Sequence, residues 1–225
     1  MTEVAFRLIH TDQPPDVVAA LWQLLDAEER ARTAGADPVL RDRFTVVRGA
    51  VRQLVGARLG VPPAEVGWRR GRCGKPEPAD GGSLRVNWSA SGPLAALVLA
   101  EGRAVGVDVE RLHDARTAER MAARWFPFEE ARQVAEAPGP SGRSARFTTL
   151  WCRREACVKA YGGRLTQSFG VSVAGPSPVL VSDPGRLGAG PARLCDVPVP
   201  GPFRAAVAAL GEPPIHVNSA VWTAN

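Results

Sequence analysis

Trp151-Cys152-Arg153-Arg154-Glu155-Ala156-Cys157-Val158-Lys159-Ala160-Tyr161-Gly162-Gly163 is the stretch on which the reading of this chain turns. It predicts the second half of a long helix, from about Arg143 to Tyr161, stopped by the glycine pair. Trp151, Glu155 and Lys159 fall at i, i+4 and i+8, so an indole, a carboxylate and an ammonium share one face. Taken alone, Glu155 and Lys159 read as a solvated ion pair worth about 0.2–0.5 kcal/mol.

Upstream, Gly106-Val107-Asp108-Val109-Glu110 closes a predicted strand over Ala104–Glu110. Alternation puts Val107 and Val109 on one face and Asp108 and Glu110 on the other. Two carboxylates on one strand face make each other harder to ionise unless a cation lies between them. The residues leave two readings open: an edge strand with a wet acidic face, or a site for a hard divalent cation such as Mg²⁺, completed by substrate phosphates.

Working outward, a strand is expected at Val4–Ile9, a helix over Asp16–Thr33 behind Pro14-Pro15, and a second helix over Val39–Leu59 ended by Gly60. Arg48 and Arg52 are i,i+4 neighbours on that helix and read as a solvated face, with Arg43 pointing elsewhere. Val66–Arg70 suits a strand, Gly71–Gly82 a loop, and Leu84–Trp88 and Leu94–Leu99 two strands joined through Ser89–Pro93. Short helices follow at Arg116–Trp125 and Phe128–Glu136. Beyond the long helix, strands are expected at Phe169–Ala174, Val179–Ser182, Ala192–Val197 and Phe203–Leu210, with a possible last one at Ile215–Val217. Helices and strands thus occur twice over. The expectation is an α+β chain of two α/β lobes, residues 1–102 and 103–225, which would suit an internal duplication without visible sequence repeat.

With 225 residues, 45% hydrophobic and 23% charged, the chain has the make-up of a soluble globular protein with a substantial core. No apolar run approaches a membrane span and no signal peptide is evident at Met1, so a cytoplasmic protein with reduced thiols is expected. Net charge is +5, and the basic residues are nearly all arginine, Lys75 and Lys159 being the two lysines. A positive balance suits nucleic acid, an acidic protein or a phosphorylated ligand. The arginines form no tract, helix-turn-helix or zinc pattern, which argues against nucleic acid.

Five stretches carry a resemblance when taken together. Gly74-Lys75-Pro76, Val86-Asn87-Trp88-Ser89-Ala90-Ser91-Gly92, Gly106–Glu110, Trp125-Phe126-Pro127-Phe128-Glu129-Glu130 and Trp151–Lys159 occur in the order and approximate spacing of the 4′-phosphopantetheinyl transferases. The chain resembles the larger, surfactin-synthetase-activating type of that family over most of its length. The resemblance implies a pseudo-dimeric fold of two similar lobes with coenzyme A in the cleft between them. It implies transfer of the phosphopantetheine arm to a serine of an apo acyl or peptidyl carrier protein of polyketide or nonribosomal peptide biosynthesis, with release of 3′,5′-adenosine bisphosphate.

On the same footing, Asp108, Glu110 and Glu155 match the family's Mg²⁺-linked carboxylates, and Lys159 a lysine assisting at the transferring phosphate. Glu155, Lys159 and Asp108 make up the expected catalytic set and count among the coenzyme A-binding residues as well. Lys75, Arg43 and Ser89 match positions that hold coenzyme A, mainly its phosphates. Two fused lobes make self-association unnecessary, so a monomer is expected.

The chain departs from the family pattern at Ala90, where a phosphate-contacting histidine is usual, and at Arg154, where lysine is usual. The clustered Arg69, Arg70 and Arg72 are candidates to replace the lost contact. Two other readings therefore stand beside the transferase: a divergent member acting on coenzyme A-like or carrier-bound substrates, and a nonenzymatic carrier-binding protein.

Overall fold

Every second residue of Leu94–Glu101 packs on a different neighbour, and that alternation reveals the layering. The computed structural model describes residues 2–224. In chain order its elements are β1 (Thr2–His10), α1 (Pro15–Trp22), α2 (Ala27–Ala31), α3 (Pro38–Leu59), β2 (Trp68–Arg70), β3 (Pro76–Pro78), β4 (Leu84–Ser91), β5 (Leu94–Glu101) and β6 (Val105–Arg111). They continue with α4 (Ala115–Trp125), α5 (Phe128–Ala135), α6 (Gly139–Tyr161), β7 (Val179–Val181), β8 (Ala192–Val197), β9 (Phe203–Leu210) and β10 (Ile215–Val221).

Two four-stranded sheets result, β10-β1-β5-β4 and β6-β9-β8-β7, with β2 and β3 as a separate hairpin. Leu94, Ala96, Val98 and Ala100 pack with Val105, Val107, Val109 and Val207 between the sheets. Ala95, Leu97 and Leu99 face the opposite way, onto Val46, Ala50 and Val51 of α3. On the far side of the second sheet, Ala206 and Ala208 meet Leu150, Ala156 and Cys157 of α6. Four layers follow: helix, sheet, sheet, helix. Each sheet has a covered face on either side, which is why Leu94–Ala100 of β5 and Ala205–Leu210 of β9 read as unbroken apolar runs rather than alternating ones. The fold is the expected α+β arrangement with two sheet-containing lobes.

The two lobes repeat one plan. A first strand, a long helix and two further strands (β1-α3-β4-β5, then β6-α6-β8-β9) place the third strand between the first and the second, all antiparallel. The repeat extends to buried charge. Glu29 of α2 pairs with Arg52 of α3 (2.6 Å), and Glu130 of α5 pairs with Arg154 of α6. Each guanidinium also donates to carbonyls of the segment after its helix, Arg52 to Val66 (3.0 Å) and Arg154 to Ser168 and Val171 (both 2.6 Å). Both long helices end at a left-handed glycine, Gly60 and Gly162.

Several expectations are corrected. The helix over Asp16–Thr33 is broken in two, because Asp26 and Glu29 form a reciprocal capping box that starts α2 afresh. Arg48 and Arg52 do not form a solvated face; both are buried on Glu29. Phe169–Ala174 forms no strand, since Arg154 takes the Ser168 and Val171 carbonyls and Glu130 accepts the Val173 N–H (2.6 Å). Those are the groups a ladder would need. Strand β4 runs through Ser89 to Ser91 rather than ending at Trp88, and β10 pairs parallel with β1 in the first sheet. The long helix starts at Gly139, with Pro140 in its first turn.

Candidate active site

Glycine at 106 brings the acidic strand onto the long helix. A Cβ there would fall inside the contact distance of the Ala156 carbonyl oxygen and 2.5 Å from the Ala160 nitrogen. With no side chain in the way, β6 lies flush on α6, and Asp108 faces the turn of helix that carries Glu155 and Lys159.

Asp108 is 1% exposed, and its Oδ1 accepts from Lys159 Nζ (2.6 Å) and from Ser89 Oγ (2.7 Å). Lys159 Nζ also donates to Ser89 Oγ at 3.0 Å. The other carboxylate oxygen of Asp108, Oδ2, is buried with no hydrogen-bond partner among the described residues. Glu110, two residues along, accepts from Ser91 Oγ at 2.8 Å. Burial, and then the charge of Asp108, push its carboxyl up to about 7, against the pull of Ser91 and Lys159. Burial also raises the Glu155 carboxyl, with Lys159 opposing and Asp108 adding to the rise.

Ser89, Asp108, Glu110, Glu155 and Lys159 are thus brought into one electrostatic group at the lobe junction. Trp151 is not part of it; its ring stacks on Phe147 and Phe126 and anchors α6. Lys75 reaches β6 farther back, donating to the Val105 carbonyl at 2.7 Å, and burial pulls its ammonium down to about 8. Arg43 lies apart, hydrogen-bonded to Asp12 (2.7 Å) on the wall of a cleft of about 400 Å³. Ser89 and Ala90 line the same cleft, so it runs onto the carboxylate group through Ser89. A cavity of about 590 Å³ beside Trp22 and Thr45 includes none of the predicted residues.

Arg69, Arg70 and Arg72, the candidates to replace the missing histidine contact, each have a partner elsewhere in the fold. Arg69 pairs with Glu77 (2.6 Å), Arg70 with Glu28, and Arg72 donates to the Leu187 carbonyl (3.0 Å) across the lobe boundary. Arg154 is likewise committed to Glu130, wholly buried, and shapes the scaffold rather than the site. Sequence reasoning missed Asn87 and Ser91, whose side chains touch β6. Their signal is the polar alternation Asn87, Ser89, Ser91 within one strand.

The donors are all hard oxygens. Among the described residues no three His, Cys, Asp or Glu side chains close around one point where a metal ion would sit. Asp108, Glu110 and Glu155 therefore form no ready-made cage. Mg²⁺ does not require one, since it commonly takes one or two carboxylates and completes its shell with phosphate and water. The unpartnered Oδ2 of Asp108, with the Glu110 carboxyl beside it on the same strand face, fits an ion of that kind. No helix among the described residues is long and apolar enough to cross a membrane.

Residues 104–180, which span β6, α6 and the residues between them, match the family model of the 4′-phosphopantetheinyl transferase superfamily. The 4′-phosphopantetheinyl transferase HetI of Nostoc sp. is 30% identical over 194 residues, covering 84% of this chain and 80% of that protein. The 4′-phosphopantetheinyl transferase AcpT of Salmonella typhimurium is 35% identical over 112 residues, 50% of this chain and 58% of its own. A phosphopantetheinyl transferase of Thraustochytrium sp. is 30% identical over 151 residues, 61% of this chain and 52% of its own.

Proposed function

Because the chain belongs to the 4′-phosphopantetheinyl transferase superfamily, we propose that it transfers the 4′-phosphopantetheine arm of coenzyme A to a serine of an apo acyl or peptidyl carrier protein, releasing 3′,5′-adenosine bisphosphate. The observation that carries this reading is the Ser89–Asp108–Lys159 contact, where one lobe's hydroxyl meets the other lobe's carboxylate and ammonium. Two lobes within one chain favour the larger, surfactin-synthetase-activating type and a monomer. In that division of labour residues 1–102 supply phosphate contacts from Arg43, Lys75 and Ser89, and residues 103–225 carry Asp108, Glu110, Glu155 and Lys159. A cytoplasmic carrier substrate goes with it.

Asp108, Glu110 and Glu155 would hold Mg²⁺, which when bound supplies positive charge to the pyrophosphate oxygens. Lys159 presents its ammonium to the phosphoryl oxygens, where negative charge grows during transfer. Glu155 either serves as a ligand of that ion or accepts the proton of the carrier serine through a water as the serine oxygen attacks phosphorus. The surplus of arginine steers an acidic carrier toward the site.

The test is to incubate the protein with coenzyme A, Mg²⁺ and apo carrier proteins and read intact mass. A gain of about 340 Da, the mass of the transferred arm, supports the proposal. Failure on several carriers by a folded protein sinks it. Glu155→Gln and Asp108→Ala should abolish the gain, and wild-type kcat/KM in either would overturn its assigned role. Ala90 favours a second reading, a divergent activity on coenzyme A-like or carrier-bound substrates; tight Mg²⁺-dependent binding of coenzyme A without transfer would select it. Binding of the carrier alone would point instead to a nonenzymatic carrier-binding protein.

A further inference from the structure

Strand β6 is an edge strand, with β9 on one side and no strand hydrogen-bonded to the other among the described residues. Its outer N–H and C=O groups need partners. Side chains of the first lobe partner three of them. Lys75 Nζ donates to the Val105 carbonyl (2.7 Å), Asn87 Oδ1 accepts the Val107 N–H (2.9 Å), and Ser91 Oγ accepts the Arg111 N–H (3.2 Å).

Asn87, Ser89 and Ser91 are successive alternate residues of β4, so one face of that strand presents all three. They stand opposite Val98, Ala96 and Leu94 of β5, whose side chains fill the space between the sheets. The three polar groups therefore form the rim of that core, where β4 passes β6. Trp88 and Ala90 lie on the opposite face of the strand, along the cleft that Ser89 also borders.

A serine hydroxyl has one proton to give. Ser91 is oriented by accepting from Arg111, and its proton goes to Glu110 Oε2 at 2.8 Å. Ser89, which accepts from Lys159, gives its proton to Asp108 Oδ1 in the same way. The carboxylates of the second lobe are thus aimed by hydroxyls of the first. We infer that Ser91 is a positioning residue for Glu110, and that the contact of Asn87 with Val107 sets the register in which it acts. The inference rests on the reading of Glu110 as a holder of the divalent cation. Aiming a ligand through its outer hydrogen bond is a general device of metal sites.

Mn²⁺ serves as the probe, titrated into the full chain with coenzyme A present, the free ion being counted by electron paramagnetic resonance. Ser91→Ala should weaken Mn²⁺ binding about ten- to a hundredfold, and Ser91→Thr should restore it to within about threefold of wild type. Exchange of the Arg111 amide, followed without metal, should speed up in Ser91→Ala and not in Ser91→Thr. Should Ser91→Ala fail to fold, Ser91→Cys, close in shape but a weak donor, should lose affinity in its place. If wild type binds no Mn²⁺, the metal reading itself fails and takes the inference with it. Should wild type bind while Ser91→Ala or Ser91→Cys binds equally well, the inference alone is overturned. A Ser91→Thr protein as weak as Ser91→Ala assigns the effect to packing and overturns it too.

Discussion

Gly106 of β6 rests directly on the backbone of Ala156 in α6, in space that no side chain could share. This contact sets the distance between the strand that carries Asp108 and the helix that carries Lys159. Gly106→Ala should destabilise the protein near the upper end of the roughly 1–3 kcal/mol typical of overpacked interiors, because the obstacle is backbone and cannot rotate away. Urea unfolding checks it, and an unchanged midpoint would rule the contact out.

The buried pair of Glu130 and Arg154 should behave as a unit. Glu130→Ala leaves a guanidinium in the core and the Val173 N–H without its acceptor. A loss of about 3–5 kcal/mol is expected from breaking such a pair on one side. Glu130→Ala with Arg154→Met should cost much less than the two single losses added together. Strict additivity in the denaturation cycle would mean the two side chains do not share their energy.

Stability should depend on pH through Glu110. Its carboxyl, held up to about 7 in the fold against an ordinary 4.5, keeps its proton more tightly folded than unfolded. The unfolded state therefore binds fewer protons across that window, and stability falls as pH rises from about 4.5 to about 7. In EDTA, Glu110→Gln should flatten this part of the profile. Mg²⁺ with coenzyme A should flatten it in the wild type, by favouring the charged carboxylate. Superimposable profiles for the variant and wild type in EDTA would contradict the burial of Glu110.

Ala90 lines the cleft beside Ser89, and Arg43 stands on the same wall. A histidine there would add a donor and partial positive charge, so Ala90→His should tighten coenzyme A about tenfold or more, in line with one added charge-assisted hydrogen bond. Calorimetry reads this directly. Unchanged affinity would mean that the phosphates are already fully held by other groups.

Much of the site was legible because its signals are local. Helical spacing put Glu155 and Lys159 on one face, and strand alternation put Asp108 and Glu110 on another. Both placements hold in the structure, while the Trp151 ring packs on Phe147. The limits of Ala192–Val197 and Phe203–Leu210 were legible for a similar reason: strand-like stretches bounded by Pro191 and Pro198, and by Pro202 and Gly211, leave little choice. Arg48 and Arg52 misled because spacing reports which residues share a face and not what covers it. Their partner Glu29 lies on a separate helix.

By itself, then, the sequence determined the period of each element, which charged groups share a face within an element, and a set of motifs in family order, but not that Lys159 pairs with Asp108 rather than with Glu155. Only the tertiary structure decided which elements meet. Ion pairs such as Glu130 with Arg154 join residues whose separation along the chain carries no periodic signal. The same holds for β10, which crosses back to pair with β1, and for Ser91, which crosses the lobe boundary to Glu110. Such contacts follow from how buried polar groups must be satisfied once four layers are stacked, a constraint that exists only in three dimensions.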